Sequence, residues 1–286
     1  MAKSETIGLI GIGLLGSAIA ERLLQSGFAV LGFDPNADMK PFQSAGGQVA
    51  SDNSTIASTC QRIILSLPDS NVVGSVIDQM RPALNSQTIV DTTTGSPDDT
   101  VAWSAELRRM GVDYLDSTVA GSSDMVRRHE ATILVGGSKL AFERCEDVYS
   151  ALSAKTFHVG ESGSGARMKL VVNLAIGLNR AVLGEALAFG ESLGFDSHQI
   201  VDVLINTPAH SDAMDTKGVE MATNDFKPQA RLRQHLKDVR LILAAARNNQ
   251  ANVPLSKLHE RLLQDLVDAG MGDLDSSAVI NAFRPE

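Results

Sequence analysis

Two places in this chain hold residues whose types and spacing suit chemistry. The first is the opening stretch, where an apolar run from Ile7 to Ile10 meets Gly11-Ile12-Gly13-Leu14-Leu15-Gly16, glycines spaced G-x-G-x-x-G. Each glycine has a physical task in a strand–turn–helix. Gly11 permits the sharp bend out of the strand, Gly13 lets a pyrophosphate lie against bare backbone, and Gly16 lets the helix pack closely on the sheet. The helix that follows turns its free N–H groups and partial positive charge toward the phosphates. A lone glycine motif also fits an ordinary turn, so the context decides. The next apolar run, Ala29 to Phe33, ends in Asp34, an acid 23 residues after Gly11 (34 − 11). A carboxylate there binds a ribose 2′-hydroxyl, and strand, helix, second strand and acid together read as a dinucleotide site.

The second place is Lys169 with Asn173, four residues apart and so on one face near the start of a long helical pattern. A lysine there serves as general acid or base if its pKa falls toward neutrality. Desolvation in an interdomain cleft and the positive end of its own helix both push that way. The same helix end welcomes a substrate carboxylate. Taken by themselves, these residues describe a solvated lysine and a packing or capping asparagine equally well. Lys237-Asp238, beside an apolar stripe of the segment from Leu232, is open in the same way: a solvated helix face, or a second cation reaching the cleft. None of the 6 histidines has a second ligand at metal spacing, so no metal is expected. With no G-x-S-x-G and no Ser/His/Asp spacing, a hydrolase is not expected.

The elements that must position these residues are legible as periodicity. Further apolar runs at Arg62 to Leu67, Thr88 to Asp91, Tyr114 to Asp116, Ala131 to Val135 and Thr156 to Val159 alternate with helical segments. That alternation predicts an α/β fold with a Rossmann-type, doubly wound parallel sheet. Ligands of such sheets lie outside the carboxyl ends of the strands, which places Pro68, Thr92 to Pro97 and Thr118 to Ser123 on the crevice. The pattern changes at the glycine/serine segment Gly160 to Gly165. Beyond it the periodicity predicts helices over 166–193, ending at Gly194, and over 197–205, 213–223, 232–248 and 256–269. The expected organisation is a dinucleotide-binding Rossmann domain over 1–163 and an all-helical C-terminal domain over 164–286, sharing a cleft.

Composition narrows the class. A net charge of −9 argues against nucleic acid as the main partner, and Arg127-Arg128-His129, the densest basic cluster, reads as a solvated loop. The 2 cysteines make no disulfide framework, and the N-terminus runs straight into the first strand, leaving no room for a signal peptide. The longest apolar stretch, Leu170 to Gly190, is broken by Asn173, Asn179, Arg180 and Glu185, so it reads as a buried helix and no membrane is expected. A reducing, cytoplasmic compartment is the natural expectation.

Taken in order, the motifs resemble those of the β-hydroxyacid dehydrogenase family, the relatives of 3-hydroxyisobutyrate and 6-phosphogluconate dehydrogenases, nearly end to end. Gly11 to Gly16 is similar to the family's cofactor motif, Leu67-Pro68 to its Leu-Pro after the third strand, and Asp91 to Pro97, with Thr94, to its D-x-[ST]-T-x-x-P. Gly163-Ser-Gly165 with Lys169 and Asn173 resembles the G-x-G-x-x-x-K-x-x-x-N that carries the catalytic lysine. Phe226 through Lys237-Asp238 resembles the segment whose lysine approaches the nicotinamide, and Gly272 to Asp275 the closing G-x-x-D. The resemblance implies an NAD(P)-dependent oxidoreductase acting on a small hydroxyacid, with Lys169 as acid/base and Asn173 on the substrate. It implies cofactor contacts from the glycine loop, Asp34, Leu67, Pro68, Thr94 and Lys237.

One motif departs. The family's substrate loop reads D-A-P-V-S-G-G, whereas this chain has Asp116-Ser-Thr-Val-Ala120-Gly121-Ser122-Ser123. A serine hydroxyl is lost at Ala120, and Ser122 or Ser123 is left to replace it in holding a substrate carboxylate. Val172 stands where relatives often have an asparagine. Reduction of small aldehydes, semialdehydes or imines, or a dinucleotide-binding module without catalysis, are the alternatives this loop leaves open. Asp34, followed by Pro35-Asn36-Ala37 with no Arg in the turn, favours NAD over NADP, although Lys40 folding back would permit both. The long helix carries more apolar residues than one stripe requires, and relatives assemble through this region, so a homo-oligomer (dimer or tetramer) is expected.

Overall fold

The structure, a computed structural model, describes residues 5–284. The chain divides into two compact units, Met1–Lys169 and Leu170–Glu286.

The first unit is built on one sheet of β1 (Thr6–Ile10), β2 (Ala29–Phe33), β3 (Gln48–Val49), β4 (Arg62–Leu65), β5 (Thr88–Asp91), β6 (Asp113–Ala120), β7 (Thr132–Gly136) and β8 (Lys155–Gly160). Their order is β3-β2-β1-β4-β5-β6-β7-β8, with the switch between β1 and β4 that a doubly wound sheet requires. Alternation along the strands sends Ile7, Leu9 and Ile64 to one packed face and Ile10, Ile63 and Leu65 to the other, all essentially without solvent contact. Helices start on side-chain caps: Asp52, Asp69 and Ser96 each accept the N–H of the residue three positions on.

Two features depart from the sequence reading. The parallel order holds from β1 to β6, but β7 runs antiparallel to β6 and β8 parallel to β7. The connection between β6 and β7 holds only the 5-residue helix Ser123–Arg127, too little for a parallel crossover, so the chain returns directly. Strand β6 also continues to Ala120, which puts Thr118 inside the strand, buried, and not in a loop.

The helices of the second half are Ser164–Ser192, which begins within the first unit, Ser197–Ile205, Asp212–Thr223, Leu232–Asn248 and Pro254–Leu266. The last ends earlier than its periodicity predicts, in a turn at Val267–Met271 where Gly270 takes φ +85°. A 3-10 segment, Ser276–Ala282, closes the fold and was not legible in the sequence. The second unit's core gathers Leu183 and Leu187 of the long helix with Val201, Met221, Leu236 and Leu263. By length and composition the long helix also passes as a membrane span, with a mean hydropathy of 1.4 and 39% of that window buried. Its backbone is approached by neighbours of the helical unit, Ile280 at Gly184 and Ile200 at Gly190. Its other side exposes Val171, Val182 and Phe189.

Candidate active site

The glycine loop is shaped by contacts that only glycine permits. Gly11 has φ +92°, and a Cβ there would lie 2.2 Å from the Ser66 carbonyl oxygen; a Cβ on Gly16 would lie 1.9 Å from that of Gly11. Gly13 is the opposite case, since nothing stands within 4 Å of a Cβ at that position. Bend, open approach and close packing thus fall on the three glycines in that order. Gly13 is also the N-cap of Leu14–Gln25 and no side chain caps that helix, so its first N–H groups are available to an anion. These are features a dinucleotide pyrophosphate fits.

Asp34 holds this loop as well as facing it. Its Oδ2 accepts the Ile12 N–H and its Oδ1 the Asn36 N–H, both at 2.8 Å. Each carboxylate oxygen keeps a lone pair for a ribose hydroxyl. Register places the neighbouring pieces beside it: Ile10 pairs with Phe33 and Leu65, and Leu65 with Asp91. The segments leaving β1, β2, β4 and β5 therefore lie along one edge, which brings together Gly11 to Gly16, Asp34, Leu67, Pro68 and Thr94.

A buried polar node stands behind that edge. Tyr114 donates to Asp91 Oδ2 at 2.5 Å, and the Thr93 N–H donates to Oδ1 at 2.9 Å. Burial pushes the Asp91 carboxyl up to about 6, against the pull of its hydrogen bonds from Thr93 and Tyr114.

The start of the long helix is clamped by Asp116. Its carboxylate accepts the Gly163 and Ala166 N–H groups, each at 2.8 Å, while Thr118 donates to the Gly165 carbonyl at 3.1 Å. Gly136 and Gly165 lack the Cβ that would collide with this carboxylate, at 2.7 and 2.9 Å. Burial raises the Asp116 pKa and the backbone donors oppose the rise. Lys169 follows Ala166 by three residues and Asn173 is a turn further along; each is 8% exposed.

In the helical unit, Asn173 donates from Nδ2 to Asp238 Oδ2 at 3.0 Å, and Lys237 Nζ lies 3.5 Å from Asp238 Oδ1. Asp238 thus joins two of the residues the motifs single out. One turn beyond Asn173, the His235 and His259 rings stand 5.2 Å apart against Gly177, whose Cβ would lie 2.5 Å from His235 Nε2. Burial, with the Arg180 charge nearby, pushes His259 down to about 4.

In the loop after β6, Gly121 takes φ +147°, and a Cβ there would crowd Ala131 at 3.1 Å. The Ser122 hydroxyl is already occupied as an acceptor, taking the Met125 N–H at 3.2 Å as an N-cap. Its proton remains available to donate. Ser122 is exposed and Ser123 half-buried.

Spacing alone does not announce Asp116, Asp91 or Thr93 as supports, because their partners are remote in sequence. The available signal is the glycines at 136, 163 and 165, which keep room for the Asp116 carboxylate and its donors.

The comparisons with known proteins agree with this geometry. A family model described as the NAD binding domain of 6-phosphogluconate dehydrogenase matches residues 6–160. A second, described as NAD-binding of NADP-dependent 3-hydroxyisobutyrate dehydrogenase, matches residues 163–283. The chain is 30% identical to a 2-(hydroxymethyl)glutarate dehydrogenase of Eubacterium barkeri, over 99% of this chain and 96% of that one. It is 27% identical to the cytokine-like nuclear factor N-PAC of Drosophila melanogaster, over 99% of this chain but 48% of that protein. Among solved structures, the Mycobacterium tuberculosis 3-hydroxyisobutyrate dehydrogenase with L-serine superposes with a TM-score of 0.90 at 26% identity, covering all of both chains. The chain belongs to the β-hydroxyacid dehydrogenase family of NAD(P)-dependent oxidoreductases acting on CH–OH groups.

Proposed function

We propose that this protein transfers hydride between NAD and a small 3-hydroxy acid, with Lys169 as the proton carrier. The observation that carries the reading is the clamped helix start, where Asp116 fixes the turn from Gly163 to Ala166 so that Lys169 stands buried one turn further. An amine held at a fixed place suits proton transfer, which needs the donor and acceptor within hydrogen-bond reach. The nicotinamide, when bound, supplies the hydride chemistry. Lys169 takes the hydroxyl proton at Nζ on oxidation and returns it on reduction. Asn173, with Nδ2 committed to Asp238, presents Oδ1 as an acceptor. The loop from Ala120 to Ser123 holds the substrate carboxylate through backbone N–H groups and the free proton of Ser122, in place of the hydroxyl missing at Ala120.

The glycine loop, Asp34, Leu67, Pro68, Thr94 and Lys237 hold the cofactor. NAD is preferred because the Asp34 carboxylate would repel the extra phosphate of NADP. A 3-hydroxy acid is favoured because the solved relative carries L-serine, itself a 3-hydroxy acid. The exposed Val171, Val182 and Phe189 support assembly of copies of this chain, so light scattering is expected to give a mass above 30.3 kDa.

The test is a hydride-transfer screen of 3-hydroxy acids and of the corresponding semialdehydes and imines with both cofactors, on wild type and Lys169→Ala. Turnover should fall by about 10²–10⁴ in the variant while NAD binding, followed by fluorescence, persists. Full kcat in Lys169→Ala, or equal kcat/KM with NAD and NADP, overturns the corresponding part. Binding without turnover across all panels would instead support a dinucleotide-binding module.

A further inference from the structure

Pro68 has no N–H, so the segment between β4 and the helix Ser70–Met80 has few donors with which to anchor itself. The Ser66 N–H is spent on the Ile10 carbonyl at 2.9 Å. The Leu67 N–H donates at 3.2 Å to the Thr93 hydroxyl, 26 residues away. Thr93 is 6% exposed, and the Asp91 carboxylate holds its N–H together with the Tyr114 phenol. The chain of contacts continues on the other side. Ser66 and Leu67 lie against the back of the glycine loop, with the Ser66 carbonyl oxygen and Leu67 Cδ2 at 2.2 and 3.2 Å from where a Gly11 Cβ would be. A continuous path therefore runs from the buried carboxylate through Thr93 and Leu67 to the glycine bend.

We propose that Thr93 is a positioning residue for the dinucleotide: through Leu67 it sets the Ser66–Pro68 segment against Gly11 and so fixes the shape of the phosphate-binding turn. The inference rests on the dinucleotide lying at the glycine loop. Thr93 itself touches no reacting atom. Removing its hydroxyl leaves the Leu67 N–H without its acceptor, and the segment relaxes away from the loop.

The experiment compares wild type, Thr93→Val, Thr93→Ser and Gly13→Val, reading the NAD dissociation constant by fluorescence titration, KM and kcat with varied NAD, and the thermal melt. Valine keeps the shape of threonine without the hydroxyl; serine keeps the hydroxyl. Thr93→Val should raise Kd and KM for NAD together by about tenfold, a rise exceeding any fall in kcat, and Thr93→Ser should restore both to within about threefold. A purely structural role would lower the melting temperature without this split. Wild-type NAD affinity in a folded Thr93→Val protein, or no recovery in a folded Thr93→Ser protein, overturns the inference. If Thr93→Val does not fold, Thr93→Ser alone decides: a tenfold loss of affinity there contradicts the role given to the hydroxyl. Gly13→Val tests the underlying reading, since a side chain there fills the open approach. If Gly13→Val binds NAD as wild type does, the dinucleotide site itself is misplaced, whatever Thr93 shows.

Discussion

Asp91 in the nucleotide-binding unit and Asp275 in the helical unit are both buried carboxylates, 4% and 1% exposed, yet their surroundings push them in opposite directions. Asp91 faces a phenol and one backbone N–H, with the acid Asp116 nearby, and burial lifts it to about 6. For Asp275 burial also raises the pKa, but the N–H groups of Ala230, Ser277 and Gln229 and the ammonium of Lys217 outweigh it and bring it to about 2. Lys217 Nζ lies 2.9 Å from Asp275 Oδ1. Both are shielded from solvent; what differs is the set of donors around the acid, led at Asp275 by backbone N–H groups and completed by a buried ammonium that Asp91 lacks. The helical unit uses its acid as an electrostatic tie between Asp212–Thr223, the turn before Leu232–Asn248 and the closing 3-10 segment. The nucleotide unit uses its acid as a hydrogen-bond hub without a buried cation, beneath the cofactor edge.

The same substitution at the two sites should therefore have unequal costs. Asp275→Asn leaves the Lys217 ammonium, 5% exposed, with Glu220 at 3.6 Å as its remaining carboxylate and the Gln229 Oε1 at 3.1 Å. Breaking a buried pair by removing one partner typically costs about 3–5 kcal/mol. Denaturant melts of Asp275→Asn should show a loss near the lower end of that range, because Glu220 compensates in part. A loss under about 1 kcal/mol would mean that Lys217 finds water and that the ion pair is not what holds the three segments.

Acid should separate the two regions next. The unfolded chain protonates His259 near 6.5, whereas the folded protein resists until about 4. The folded pKa is depressed, so this stability is complete above 6.5 and falls as pH drops toward 4, by about 3 kcal/mol. Asp91 has the opposite sign. Its folded pKa of about 6 exceeds the unfolded 3.8, so its contribution is full below 3.8 and is lost as pH rises through 6, again by about 3 kcal/mol. Between pH 6 and 4 the helical unit weakens while the Asp91 site strengthens. Hydrogen exchange read separately in Leu232–Asn248 and in β5 should show opening free energies moving apart by several kcal/mol. His259→Leu should flatten the first slope; a slope that survives belongs to another group.

How much of this was legible in the sequence follows from how local each cause is. Gly11, Gly13 and Gly16 were legible because their backbone demands sit within six consecutive residues, and Asp34 because strand–helix–strand spacing fixes where it emerges. Helices at 197–205 and 232–248 came out at their periodic bounds because each has one clear apolar face. The reversal at β7 was not legible, since an apolar run has no direction. Nor was the strand Gln48–Val49, two exposed residues without a pattern. The supports of the site were the least visible: Asp116 reaches donors 47 and 50 residues away, and Asn173 meets Asp238 across 65. Lys169 and Lys237 were singled out only through the ordered set of motifs, because a lysine on a helix carries no local mark of a use.

The smallest expected effect sharpens the comparison most. In Asp91→Asn the new Oδ1 accepts the Thr93 N–H as the carboxylate does, and the new amide faces Tyr114, whose oxygen changes from donor to acceptor. No buried cation is left behind, in contrast with Lys217 after Asp275→Asn. The desolvation that lifts Asp91 to about 6 leaves it mostly ionised at pH 7 but makes that buried charge costly, and the cost disappears with the charge. Loss of the charge-assisted acceptor and relief of the buried charge therefore oppose each other. Asp91→Asn should lie within about 1 kcal/mol of wild type at pH 7, since hydrogen bonds exchanged partner for partner change stability little. It should also lose the gain in β5 protection between pH 6 and 4. A destabilisation as large as that of Asp275→Asn would show that Asp91 is held as a charge, and that the two acids do the same work after all.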